Sequence, residues 1–185
     1  WFFFSNSVNS GTLSLITYRN IVTKTYFPRE IVPLAQVASR LVDLGASAGL
    51  YALLMIYYGV VPGVWFSLLP LFILMLIAFT IGVTFTTSAV NVFYRDVNPV
   101  VQIGLQLWLY LTPVAYPLSA VPERYRIFFM LNPLSAVVEG LRSSLVYNRA
   151  PDATLVTVSA TIIAALLFGS IVMFKRLDKY FADVI

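Results

Sequence analysis

The residues able to do chemistry in this chain are few, and none is arranged for catalysis. Cys and His are both absent from its 185 residues. That removes thiol nucleophiles, imidazole acid–base work and most zinc or copper sites. No G-x-x-x-x-G-K-[ST] loop occurs, so the chain has no P-loop for a nucleotide. An intramembrane transferase would need paired acids poised in a cleft, whereas Glu123, Glu139 and Asp152 each lie near an Arg. An ion-coupled carrier would need buried carboxylates near mid-membrane, and Asp43 is the one candidate, with Arg40 as its neighbour. The absences leave binding and transport chemistry.

Three sets of residues could carry it. Pro99, Gln102, Gln106, Tyr110, Pro113 and Pro117 recur at spacings of three and four and so share one helical face. Lipid would leave the Gln and Tyr groups unpaired, so that face turns into the protein or a pore. Plain interhelical hydrogen bonding and contact with a transported molecule are both open, with Gln102, Gln106 and Tyr110 as the translocation-path candidates. Trp108 points nearly opposite and reads as a packing or interface aromatic. Thr80, Thr84, Thr87, Ser88 and Asn91 form a second stripe, best read as hydroxyls bonding back to helix carbonyls, with a vestibule lining as the alternative. The third set is the basic segment with Arg19, Asn20, Lys24, Phe27, Pro28 and Arg29, where a positive anchor and a protein-docking turn compete. Arg40 and Asp43 read as a structural pair, followed by a Gly45-x-x-x-Gly49 surface for close helix contact.

The elements that must position these residues are membrane helices. Hydrophobic residues make up 59% of the chain and charged ones 11%, and mean hydropathy is +0.85. A soluble domain carries about 25% charged residues. Apolar stretches predict spans at 33–58, 65–90, 99–117 and 153–174, and residues 1–18 read as the inner end of an earlier span. Threaded alternately, one side collects Arg19, Lys24, Arg29, Arg95, Lys175, Arg176 and Lys179, and the other Arg124, Arg126, Arg142 and Arg149. Seven against four makes the first side cytoplasmic. Asn98-Pro99 is expected to cap and start its helix. The fold class is therefore an all-α integral membrane protein with about five spans, forming one membrane domain over 1–185.

The stretch LTPVAYPLSAVPERYRIFFMLNP, residues 111–133, interrupts this pattern with four prolines and an ERYR cluster. Glu123, Arg124 and Arg126 at mid-bilayer would cost roughly 2.5–3.5 kcal/mol each, and the prolines would strip helix bonds that lipid cannot replace. The stretch does not cross. Pro122 can start one short helix, Asn132-Pro133 is a cap and restart for a second, and Glu139 and Arg142 fall on one face of it. A re-entrant hairpin across 118–152 on the outer side, before the last span, is expected, against a surface loop with interfacial helices.

The run QLWLYLTPVAYPLSAVPERYRIFFMLNPLSAVVEGLR, with YRNIVTKTYFPREIVPLA and NVFYRDV in the same order, resembles the membrane subunit of bacterial polysaccharide ABC exporters, the O-antigen, capsule and teichoic-acid permeases. The resemblance implies a six-span, multi-pass permease of the bacterial inner membrane, working as a homodimer with separate cytoplasmic ATPase subunits. It would have no catalytic residue, metal or cofactor of its own, ATP being bound by the partner. An interfacial helix and a first span would precede Trp1, which lacks an initiator Met or leader, so the chain is expected to be a fragment. The resemblance places an ATPase-coupling helix at residues 19–30 and outer gate helices at 121–147. Pro113, Pro117, Pro122, Glu123, Arg126, Asn132, Pro133, Glu139 and Arg142 fall at the outer gate. The expected cargo is polysaccharide or lipid-linked glycan, and a small-molecule or lipid exporter of related fold is the alternative.

Overall fold

The computed structural model describes residues 1–20, 28–60, 63–94, 96–117 and 121–184. Lys24, Phe27 and Arg95 lie outside the described residues, as do the side chains of Glu123 and Arg126. The helices are α1 (Phe2–Thr17), α2 (Ile31–Tyr57), α3 (Leu69–Phe93), α4 (Val97–Leu111), α5 (Arg126–Met130), α6 (Pro133–Leu145) and α7 (Ala153–Val184). Short 3-10 turns, Val64–Leu68 and Glu123–Tyr125, lead into α3 and α5. No strand occurs among the described residues, so the all-α membrane class holds.

Three segments, Ile31–Tyr57, Val64–Phe93 and Ala153–Phe181, are long and apolar enough to cross a bilayer. With 16 residues in α1 and 15 in α4, each of these rises only about 22–24 Å, short of a core of about 30 Å.

Two apolar clusters order the helices. At one level Phe3, Phe4 and Val8 of α1 meet Phe72, Met75 and Phe79 of α3, Leu105 of α4, Leu134 and Val137 of α6 and Ile163 of α7. Nearer the basic end, Leu15, Val32, Phe85, Ala89, Val92, Phe174 and Phe181 form the second. These pairings run α1, α3 and α7 toward the basic end and α2 and α4 away from it, the alternate threading expected from the sequence. The polar stripe of α3 is buried between α1 and α3. Thr80 Oγ1 donates to the Leu76 carbonyl at 2.7 Å, Thr12 Oγ1 to Thr87 Oγ1 at 2.8 Å, and Asn91 Nδ2 to the Thr12 carbonyl at 3.0 Å. Thr84 Oγ1 and Asn91 Oδ1 are buried there without a hydrogen-bond partner among the described residues.

The expected span 99–117 is corrected at both ends. Its helix begins at Val97 with Asp96 as N-cap, so Pro99 occupies the third helical position and Asn98 caps nothing. Pro is accommodated there because the first-turn N–H groups have no helical acceptor anyway. The helix stops at Leu111 and the chain turns through Thr112, because Pro113 lacks the N–H that would continue it. Pro113 and Pro117 therefore lie beyond the face that Gln102, Gln106 and Tyr110 share.

The long segment between α4 and α7 returns beside α3. Asn132, at the start of α6, bonds Trp108, whose ring meets Phe79 at 5.7 Å. Gly140 faces Phe72, and Asn148 abuts Gly63 just before α3. Phe72 and Phe79 are seven residues apart, so α6 climbs about 10 Å along α3. At Gly140 a Cβ would overlap the Phe72 ring, whereas at Gly45 and Gly49 nothing lies within 4 Å.

That contrast sets an expected outcome. Gly140→Val should destabilise the chain by about 1–3 kcal/mol through overpacking, read as a lowered unfolding midpoint in detergent, while Gly45→Ala leaves the midpoint in place. Equal midpoints for both variants would contradict the close α3–α6 approach.

Candidate functional site

Two features stand out: a polar face on α1 and α4, and a proline-broken segment between α4 and α6 held by two side chains. The face comes first. Gln102 and Gln106 are exposed, and Tyr110 is 75% exposed. Gln102 Nε2 reaches Asn9 Oδ1 of α1 at 3.4 Å, and Gln106 has no hydrogen-bond partner among the described residues. The neighbouring helix extends the stripe: Phe2, Asn6, Asn9 and Leu13 repeat at four, three and four along α1, with Phe2 80% exposed. Sequence reasoning passed over Asn6 and Asn9, although their spacing carries the same one-face signal as Gln102 and Gln106. Trp108 is half-buried behind this face, edge-on to Phe4 and Phe79 at 5.6 and 5.7 Å, a packing aromatic as its position implied.

The outer segment must satisfy carbonyls that its prolines have freed. Asn132 has the extended backbone of an N-cap, and its Oδ1 accepts from Leu134 N–H and from Trp108 Nε1, both at 3.2 Å. Its Nδ2 donates to the Leu111 carbonyl at 3.1 Å and to Thr112 Oγ1 at 3.0 Å. One amide thereby starts α6 and closes the end of α4. Arg142 does the rest. Its guanidinium donates to the carbonyls of Pro113 (2.8 Å), Val114 (3.0 Å) and Tyr116 (3.1 Å), and pairs with Glu139 at 2.8 Å. Tyr116 OH donates to the Tyr110 carbonyl at 2.7 Å. The planar guanidinium suits this work because five N–H groups diverge from one fixed charge. Asn132 and Pro133 are buried, and Pro113 with them, whereas Pro117 and Pro122 are exposed.

At the basic end, Arg19, Asn20 and Pro28 are exposed. Arg29 NH1 pairs with Asp178 of α7 at 3.2 Å and also donates to the Asp178 carbonyl. The start of α2 and the end of α7 are thus tied together. Arg40 pairs with Asp43 at 3.3 Å, the local pair its spacing suggested. No grouping of acidic residues that could hold a metal occurs among the described residues.

Removing the Arg142 clamp leaves three carbonyls and the Glu139 carboxylate without their donor. Arg142→Ala should cost about 3 kcal/mol and open the turn to chymotrypsin at Tyr116, and Arg142→Lys should recover only part of the loss. Unchanged melting and cleavage for both variants would remove the clamp from the account.

Residues 1–146 match the ABC-2 type transporter family. The chain is 30% identical over 187 residues to the O-antigen export system permease protein RfbA of Myxococcus xanthus, covering all of this chain and 72% of that protein. It is 26% identical over 193 residues to the protein of the same name from Klebsiella pneumoniae, covering all of this chain and 71% of that protein. A match of this extent, on a bundle of apolar helices with no nucleotide-binding loop, places the chain in the ABC-2 type transporter family as a multi-pass membrane permease subunit.

Proposed function

We infer that this chain is the transmembrane subunit of an ATP-driven exporter that moves polysaccharide or lipid-linked glycan across the bacterial inner membrane. The family membership and the names of its relatives support the class. The observation that carries the reading is the polar face of α1 and α4. A primary amide left without a partner in hydrocarbon costs roughly 4–8 kcal/mol, so exposed Gln102, Gln106 and Asn6 are not lipid-facing groups. They suit a water-filled path, or a second copy that closes one, and their neutral donors and acceptors suit sugar hydroxyls. Many weak contacts let a long chain slide without being trapped.

Energy would come from a separate ATPase on the cytoplasmic side, the side with seven of the twelve Lys and Arg residues. Residues 19–30 are the proposed coupling segment. Arg29 adds a route for its motion: a displacement at the start of α2 would pull on α7 through Asp178. The path of α6 beside α3 supports a re-entrant hairpin at the outer end, with Asn132, Glu139 and Arg142 holding the exit in shape. A homodimer across α1 and α4 would enclose the polar face.

Three measurements check this reading. The chain has no Cys, so Gln106→Cys gives a single thiol, expected to cross-link to a second copy or to be labelled by aqueous reagents in membranes. A thiol reactive only to lipid-soluble reagents would sink the proposed path. Gln106→Leu should slow polysaccharide export several-fold with normal membrane insertion; unchanged flux with altered melting would mark the stripe as packing alone. Reversing charge at Lys24 and Arg29 together should uncouple ATP hydrolysis from export. If exchanging Arg29 and Asp178 restores coupling, the tie to α7 is what transmits; if it does not, Arg29 acts at the docking surface.

A further inference from the structure

Away from the polar face, the outer end holds a second feature that the exporter reading does not use. A cavity of ≈ 560 Å³ opens between the end of α6 and the start of α7, lined among others by Glu139, Ser143, Tyr147, Arg149, Pro151 and Asp152. Its size falls within the roughly 300–1,000 Å³ of small-molecule sites.

Several bonds shape its walls. The chain leaves α6 through Asn148, whose φ of 45° is left-handed, a conformation Asn tolerates better than other side chains. Arg149 N–H then donates to the Ser143 carbonyl at 3.0 Å. Gly63 is pressed against Asn148 so closely that a Cβ there would collide with its amide. On the far wall Asp152 Oδ1 caps α7, accepting from Thr154 N–H at 2.9 Å and Leu155 N–H at 3.3 Å. Its Oδ2 has no partner among the described residues. Glu139 gives one oxygen to Arg142, and its other oxygen is likewise unpartnered among the described residues. Ser143 Oγ donates to the Gly140 carbonyl at 3.0 Å and can still accept.

We propose that this cleft is an exit-side docking subsite for a neutral sugar residue of the exported chain, an inference that rests on the polysaccharide reading above. Pyranose rings present hydroxyls around the rim and C–H groups on the faces. Carboxylate oxygens and a guanidinium meet the first, and the Tyr147 ring with the Pro151 pyrrolidine meets the second. Charge argues for a neutral ligand, because Glu139 and Asp152 are matched by Arg142 and Arg149. A phosphate would find two carboxylates at its site. A weak hold beyond the outer end of the path would bias an emerging chain against sliding back.

The test uses the full chain in lipid nanodiscs and saturation-transfer NMR, with neutral tetrasaccharides of mannose and of galactose as probes and inorganic phosphate as competitor. Tyr147→Ala removes the ring, and Asp152→Asn removes the charge while keeping a residue able to cap α7. Binding by the wild type that weakens tenfold or more in both variants, with unchanged melting and no competition by phosphate, is the expected result. Equal binding in wild type and variants would place the sugar elsewhere and overturn the subsite while sparing the export reading. Displacement by phosphate would make it an anion site and overturn the proposal. No binding by the wild type, in cells that still export polysaccharide, would overturn the subsite alone; loss of the chain with no effect on polysaccharide export would overturn the export reading itself.

Discussion

Backbone carbonyls left over where helices end have to be met by some donor, and between α4 and α6 Asn132 and Arg142 meet them. A buried carbonyl left without a donor costs about 1–3 kcal/mol. Asn132 closes α4 and opens α6 with the four bonds of a single amide. Arg142 holds the carbonyls of Pro113, Val114 and Tyr116 from one guanidinium. With both in place, α4 can stop at Leu111 and α6 can climb beside α3. The cavity against α7 depends on the same arrangement, because Glu139, which anchors Arg142, is also part of its wall.

The permease divides its polar groups by burial. Those of α3 are turned inward, bonding their own helix or α1, with Thr12 bridging Val8 and Thr87, and Asn91 reaching the Thr12 carbonyl. Those on the outward face of α1 and α4 have one long contact, between Gln102 and Asn9. Packing has buried the first group and left the second at the surface, which is why the proposed path is drawn along α1 and α4.

The two ends are built differently. At the outer end, helix termini are closed by side chains of neighbouring elements within the membrane domain. The basic end relies on an aromatic cluster, in which the Phe174 ring lies 5.0 Å from Phe85 and 5.3 Å from Phe181, together with the Arg29–Asp178 pair. That pair joins the segment proposed to meet the ATPase to the longest helix of the bundle, α7 with its 32 residues.

Much of this was legible in the residues alone. Apolar length and scarce charge gave membrane helices, and Asn132-Pro133 and the Glu139–Arg142 spacing gave a cap and an ion pair, because each of these rests on local backbone rules or on partition into lipid. The end of α4 at Leu111, the early start at Val97 and the joining of Asn6 and Asn9 to the glutamine face were not legible in that way. Nor was the Arg142 clamp, whose acceptors lie 26 to 29 residues away. Sequence periodicity reports which side of a helix a residue occupies and nothing about what faces it. Only when distant segments pack does a polar group acquire a partner or go without one, and that outcome separates the atoms that hold this fold from those left to act.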